Sequence, residues 1–328
     1  MTAPAPWGLY LAGAVLLVAA AAGSVLVGPG GGLFALWRDD PDLASLIAFE
    51  IRLPRLALAL VTGATLGLSG AALQGLLRNP LAEPGLIGAS SSAALGAVLV
   101  LYFGLSAAVP MALPLAGMAG ALVSVVLLAA LVGGEASTLT LILAGIAINS
   151  FATALTALAL NLAPNPYAVY EIVFWLLGSV ADRDLDQLAL IAGPVALGWL
   201  LLLGAGRGLD ALSLGEEVAQ SLGVRTGRLF AQVVVGTALA VGAVVSVTGV
   251  IGFVGLVVPH LVRPLLGHQP GRLLPASALA GAILLVVADI AVRLAAPAGG
   301  ELRLGVVTAL VGAPFFLWLL LETRRRML

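Results

Sequence analysis

Arg52-Leu53-Pro54-Arg55 sets two guanidinium groups either side of a proline, at the head of a long apolar run. Such a pair can recognise a carboxylate on a partner, and it can equally do no more than snorkel to a membrane interface. Asp289 and Arg293 stand four apart, which makes them neighbours on one helix face. They can pair or relay a proton, and their place near the outer end of an apolar span favours the pair. Other chemistries lack their parts. Without cysteine there is no disulfide, thiolate metal site or thiol redox reaction. His260 and His268 alone cannot build a metal cage, and His260, after Pro259, reads as a helix-end residue. All fifteen basic residues are arginine, so the lysine of a phosphate-binding P-loop is missing. No HExxH motif is present. The sequence therefore predicts no catalytic residue, no metal site and no cofactor on this chain. If ATP drives it, another polypeptide hydrolyses the nucleotide.

The elements that position these groups are membrane helices. Of 328 residues, 61% are hydrophobic and 9% charged, against about 25% charged in soluble proteins. Too little polar surface is left to face water, and nothing marks a nucleic-acid binder. A span needs about 20 apolar residues. Spans fall at about 7–27, 54–77, 86–104, 110–132, 138–162, 186–206, 227–248, 251–263, 273–295 and 304–321. The first lacks a preceding positive charge and exceeds a signal core, so it is read as a retained helix. The span at 251–263 is too short to cross upright and should be partly buried in protein. Tyr167 to Ser179 reads as a re-entrant or interfacial helix across a cavity mouth. About ten spans put both termini on one side, and Arg324-Arg325-Arg326 marks that side as cytoplasmic. Gly63 and Gly67, like Gly117 and Gly120, let helix backbones approach closely. The spans from about 54 and about 227 both run into Gly/Pro-interrupted segments, as an inverted repeat would. No linker divides residues 1–328, so one transmembrane domain is expected.

The most polar internal stretch is 207–228, RGLDALSLGEEVAQSLGVRTGR. Ser213 and Glu216 have capping-box spacing, which predicts a short helix from about Leu214. Gly223 suits its end, and Glu216 and Glu217 complement its positive N-terminal end. Leu214, Val218 and Leu222 make one apolar stripe. So short a helix is not stable alone. It packs either on its own transmembrane helices or in a groove of a partner.

Five stretches in register resemble the permease subunits of ABC importers for iron chelates, heme and vitamin B12. They are RLPR at 52–55, NPLAEPG at 79–85, LGEEVAQSLGV at 214–224, GFVGLVVPHLVR at 252–263 and LGVVTALVGAPFFLWLL at 304–320. The resemblance runs from about residue 50 to the end and leaves the first 50 residues without a role. It implies an all-α type II importer permease in a bacterial inner membrane, forming a homodimer around a central path. Two ATP-binding cassette subunits, carrying ATP and Mg, would dock from the cytoplasm on Leu214, Glu216, Glu217, Val218 and Leu222. A periplasmic substrate-binding protein would meet Arg52, Arg55 and Arg293 through exposed ion pairs. Asn79, Leu81, Ser137 and Thr138 would form a cytoplasmic gate. On the residues alone, Asn79-Pro80 also reads as a turn, and Ser137 or Thr138 as a helix cap.

The resemblance implies a ferric siderophore or heme as solute, with vitamin B12 as the alternative. Arg183 faces either an anionic solute or water. An ion-coupled secondary transporter is the rival of another class. It would want an ionisable group deep in the bundle, and the sequence places none there clearly.

Overall fold

A computed structural model describes residues 7–28, 32–109, 111–132, 138–295 and 302–327, and helices account for nearly all of them. The membrane helix α1 (Trp7–Leu26) precedes two short ones, α2 (Leu33–Asp39) and α3 (Pro41–Leu46). A π-helical turn, Ile47–Arg52, then runs straight into α4 (Leu53–Leu76). In an unbroken α-helix the Pro54 ring would strike the carbonyl of Glu50, and the wider turn carries it past. After the connector come a 3-10 turn, Pro84–Ile87, and α5 (Ala89–Tyr102). Pro84 and left-handed Gly88 take up the start of the expected 86–104 span, so α5 has only 14 residues.

A one-turn α6 (Leu105–Ala108) leads to α7 (Ala112–Val132) and α8 (Thr138–Asn161). The re-entrant candidate is α9 (Pro166–Leu176), started by Asn165, whose side chain accepts from the Ala168 N–H at 3.0 Å. Next are α10 (Leu185–Gly204), α11 (Gly206–Leu212), α12 (Glu216–Ser221) and α13 (Thr226–Thr248). The chain closes with α14 (Val254–Val262), α15 (Pro270–Ala295) and α16 (Leu304–Met327). Among the described residues, seven helical stretches are long and apolar enough to cross a membrane. The remaining expected spans appear as shorter apolar helices at α5, α14 and α16.

Two helices form the centre. The stretch containing α4 is 83% buried and α13 is 78% buried, against 6% for α1. Such burial needs small residues, because backbones must nearly touch. Gly63 and Gly67 of α4 lie directly against the backbones of Gly281 and Ser277 of α15. A side-chain carbon at either glycine would strike a carbonyl oxygen there. Gly70 meets Gly255 of α14 in the same way, and Gly117 and Gly120 bring α7 onto Ser246 and Ser92. The GxxxG pair at Gly63, weak as a motif, is a true helix crossing.

Each central helix runs into an interrupted element. The connector and Gly88 follow α4; Gly249 and left-handed Phe253 follow α13. The two interruptions meet, since Gly255 packs against Pro84.

Candidate functional site

Functional candidates gather at the two ends of the bundle. At one end, α4 and α15 bring Arg55, Asp289 and Arg293 together. Asp289 is fully buried. Arg55 donates to its Oδ1 from Nε at 2.9 Å and lies 2.8 Å away through Nη2. Arg293 Nε stands 3.1 Å from Oδ2. The expected local pair of Asp289 and Arg293 is thus a triad, with Arg55 as the third member. The physical cause is plain: a buried carboxylate is stable only when paired and hydrogen-bonded.

The same arginines hold the end of α1, whose last carbonyls have no partner within the helix. Arg293 Nη1 donates to the Ser24 and Val27 carbonyls at 2.9 and 3.1 Å, and Nη2 donates to Ser24 Oγ at 2.8 Å. Arg52 Nη1 donates to the Val25 carbonyl at 2.6 Å. The first helix, for which the sequence offered no role, is strapped to the core by guanidinium groups. This corrects the expectation of exposed arginines. Arg52 is buried, and the side chains of Arg55 and Arg293 keep only 14% and 8% of their surface.

A second feature sits at this end. Ser179 N–H donates to the Thr248 carbonyl at 2.8 Å and Gly305 N–H to that of Gly178 at 3.3 Å, tying the end of α9 to α13 and α16. The Arg303 guanidinium lies 5.0 Å over the Phe174 ring. Beside α9 opens an uncharged groove of about 580 Å³ lined by Leu176, Leu177, Phe253, Gly305, Ala309 and Leu310. The expectation of a short helix at a cavity mouth fits this geometry. Arg183, by contrast, is only partly exposed and is engaged within the protein.

At the opposite end, Leu209 of α11 packs near Gly75, and the Asp210 carboxylate accepts from the Gly271 N–H at 2.7 Å. The polar 207–228 segment is therefore anchored on α4 and α15. The capping-box expectation is overturned. Ser213 has helical backbone angles in the last turn of α11, and its Oγ donates to the Asp210 carbonyl at 2.6 Å. It cannot take the extended shape of an N-cap. Instead α12 begins at Glu216 behind Gly215, at φ 113°, with no capping side chain. Gly223 ends the helix as expected, at φ 84°.

Only Ala219 of α12 is buried. Leu214, Val218 and Leu222 are 65%, 43% and 63% exposed. Of the two packing alternatives, the stripe does not rest on the protein's own helices. It points outward, next to Glu216 and Glu217 in the first turn.

Asn79 and Leu81, expected at a gate, lie near this end, after α4. Asn79 Oδ1 accepts from the Leu81 N–H at 2.9 Å, and the Ala82 N–H donates to the Asn79 carbonyl, which makes the expected turn at Asn79-Pro80. Ser137 lies outside the described residues; Thr138 is the first residue of α8. The sequence reading missed what stiffens the connector. Gln74 Nε2 donates to the Gly255 and Leu256 carbonyls at 3.3 and 3.4 Å, and Arg263 Nη2 donates to Gln74 Oε1. A lone glutamine in a small-residue span was the available signal. Burial also pushes the Glu83 carboxyl above its ordinary pKa.

No group of three or more potential metal ligands occurs among the described residues. The buried carboxylate is hydrogen-bonded by Arg55 at Oδ1 and ion-paired with Arg293 at Oδ2, which suits a structural clamp and not a proton carrier.

Residues 11–322 match the model of the FecCD transport family. A vitamin B12 import system permease of Vibrio cholerae is 42% identical over 317 residues, covering 96% of this chain and 92% of the relative. A hemin transport system permease of Yersinia pestis is 38% identical over 318 residues, 95% of either chain. A solved inward-facing metal-chelate type ABC transporter superposes with a TM-score of 0.85 at 32% identity, covering 97% of this chain and all of the other. An all-helical, multi-pass chain with this match, this fold and these relatives belongs to the FecCD transport family and is an ABC importer permease.

Proposed function

We propose that two copies of this chain enclose a path for a bulky metal chelate, powered by an ATPase subunit seated on each α12. The observation that carries this reading is the outward stripe of Leu214, Val218 and Leu222. An element of this length has no reason to hold three apolar side chains in water unless a partner covers them. Asn79, Leu81, Ser137 and Thr138 then stand at the inner gate, with both termini cytoplasmic in the bacterial inner membrane. A substrate-binding protein caps the Arg52–Arg55–Arg293 end. Arg55 and Arg293 around the single Asp289 carboxylate, with Arg52 on the Val25 carbonyl beside them, make this cluster locally positive, which suits an acidic partner even with the donors turned inward.

The solute is proposed to be a metal macrocycle. The relatives named above transport vitamin B12 and hemin, and the groove beside α9 is wide and uncharged. Passage of a large solute needs walls that bind weakly. A ferric siderophore remains the competing solute, since the structural neighbour is a metal-chelate type transporter.

The test is uptake into proteoliposomes holding the permease, its ATPase and its binding protein, supplied in turn with cobalamin, hemin and a ferric siderophore. ATP-dependent uptake of one macrocycle is expected. Uptake driven by a proton gradient with the ATPase left out would sink the importer reading, and uptake of the siderophore alone would sink the solute assignment.

A further inference from the structure

Where α10 ends and α13 begins, a polar groove of about 250 Å³ opens that the transport reading leaves without a role. Gly204, Gly208 and Gly223 line it, with half-buried Gln232 and exposed Arg225 and Arg228. The bare glycines keep it open: a side chain at Gly208 would run into Leu229, and one at Gly204 would crowd the Gln232 amide at 3.3 Å. Gln232 itself donates to the Leu201 carbonyl at 2.8 Å, which fixes α13 to α10.

Neither groove arginine has an ion pair or side-chain hydrogen bond among the described residues. The acidic groups of the same segment are placed elsewhere. Asp210 accepts from Gln269 Nε2 at 2.9 Å and from Gly271, while Glu216 and Glu217 begin α12. Along α10, Leu197, Leu200 and Leu203 are exposed at helical spacing and run directly into Gly204. An apolar stripe thus leads from the bilayer into a cationic groove at the end of the span.

We propose that this groove binds an anionic phospholipid, with its phosphate between Arg225 and Arg228 and its acyl chains along Leu197, Leu200 and Leu203. Guanidinium groups suit phosphate oxygens through paired N–H donors, and basic residues at a membrane edge attract anionic lipid. Continuity with the leucine stripe favours a lipid over a carboxylate of a partner protein, which would approach from the aqueous side.

The test uses the full permease in nanodiscs of phosphatidylcholine mixed with phosphatidylglycerol, released into native mass spectrometry. Arg225→Gln/Arg228→Gln should lower retained phosphatidylglycerol by roughly fivefold or more, with phosphatidylcholine unchanged and thermal unfolding preserved. Gly204→Val, which fills the groove and keeps both charges, should lower it as well. Millimolar inorganic phosphate should not displace the lipid. Equal retention in wild type and the double variant overturns the proposal. So does displacement by free phosphate, which would mean a small-anion site. A double variant that sheds the ATPase subunit while keeping its lipid would assign the arginines to that partner instead.

Discussion

The two ends of the bundle handle their polar and apolar groups in opposite ways. At the Asp289 end, charged groups that the sequence would place in water are buried and bonded to one another and to α1. At the α12 end, leucines and a valine that the sequence would place in a core stand in the open. The first arrangement is closed within one chain; the second leaves its apolar stripe uncovered. The difference separates holding from transmitting. A permease must keep its helices together without hydrophobic help from lipid, and it must also offer its motor a surface that is not used for folding.

Breaking the closed end should have the larger effect on stability. Asp289→Ala leaves Arg55 and Arg293 buried around an empty place, and removing one partner of a buried ionic group costs about 3–5 kcal/mol. Thermal unfolding in detergent should show this loss. A cost under about 1 kcal/mol would mean that the cluster behaves like exposed pairs, and the contrast between the ends would vanish. At the open end, Leu214→Asp/Val218→Asp should change stability by less than about 0.5 kcal/mol, as exposed sites do. The same double variant should abolish co-purification of the ATPase subunit. Retained attachment with uptake intact would remove the reason for calling α12 a docking element.

Legibility in the sequence followed the range of the interactions. The spans were readable because hydropathy and length are local properties, and α13 falls within a residue of its expected bounds. The α12 stripe was readable because helical spacing is local too. Whether that stripe faced inward or outward was not, since only the three-dimensional placement of Ala219 decides it. The Arg55–Asp289 bond joins positions 234 apart and left no trace in spacing. The exposed-arginine expectation failed for the same reason: the acceptors are backbone carbonyls of Ser24, Val25 and Val27, groups that every residue carries. Resemblance filled part of this gap by matching whole motifs, but it began after α1 and so missed the clamp.

Glu83 sharpens the comparison in a different way, because it is a carboxyl near the open end that burial disfavours as an anion. Its folded-state pKa lies above the unfolded one, so the folded protein holds the proton more tightly. Stability is then highest below the ordinary glutamate range and falls as pH rises through the folded-state value. Glu83→Gln has nothing to ionise and should flatten that decline, measured as the difference in unfolding temperature between acid and neutral pH. An unchanged pH profile would show that Glu83 is paired when charged.

The smallest effect is expected where the sequence promised a larger one. A Ser N-cap replaced by alanine costs about 1 kcal/mol, and the 213–216 spacing predicted such a cap. In the structure Ser213 Oγ donates back to the Asp210 carbonyl, and Gly215 occupies the cap position with φ 113°. Ser213→Ala therefore loses one exposed bond to a helix-end carbonyl that water can reach, and its cost should lie within about 0.5 kcal/mol of zero. Gly215→Ala, in contrast, forces a side chain into a backbone shape that L-residues avoid, and should cost more than Ser213→Ala. Thermal unfolding of the two variants side by side measures the order. If the serine change is the costlier, the start of α12 is set by the capping box after all, and the helix at the open end begins two residues earlier, at Leu214.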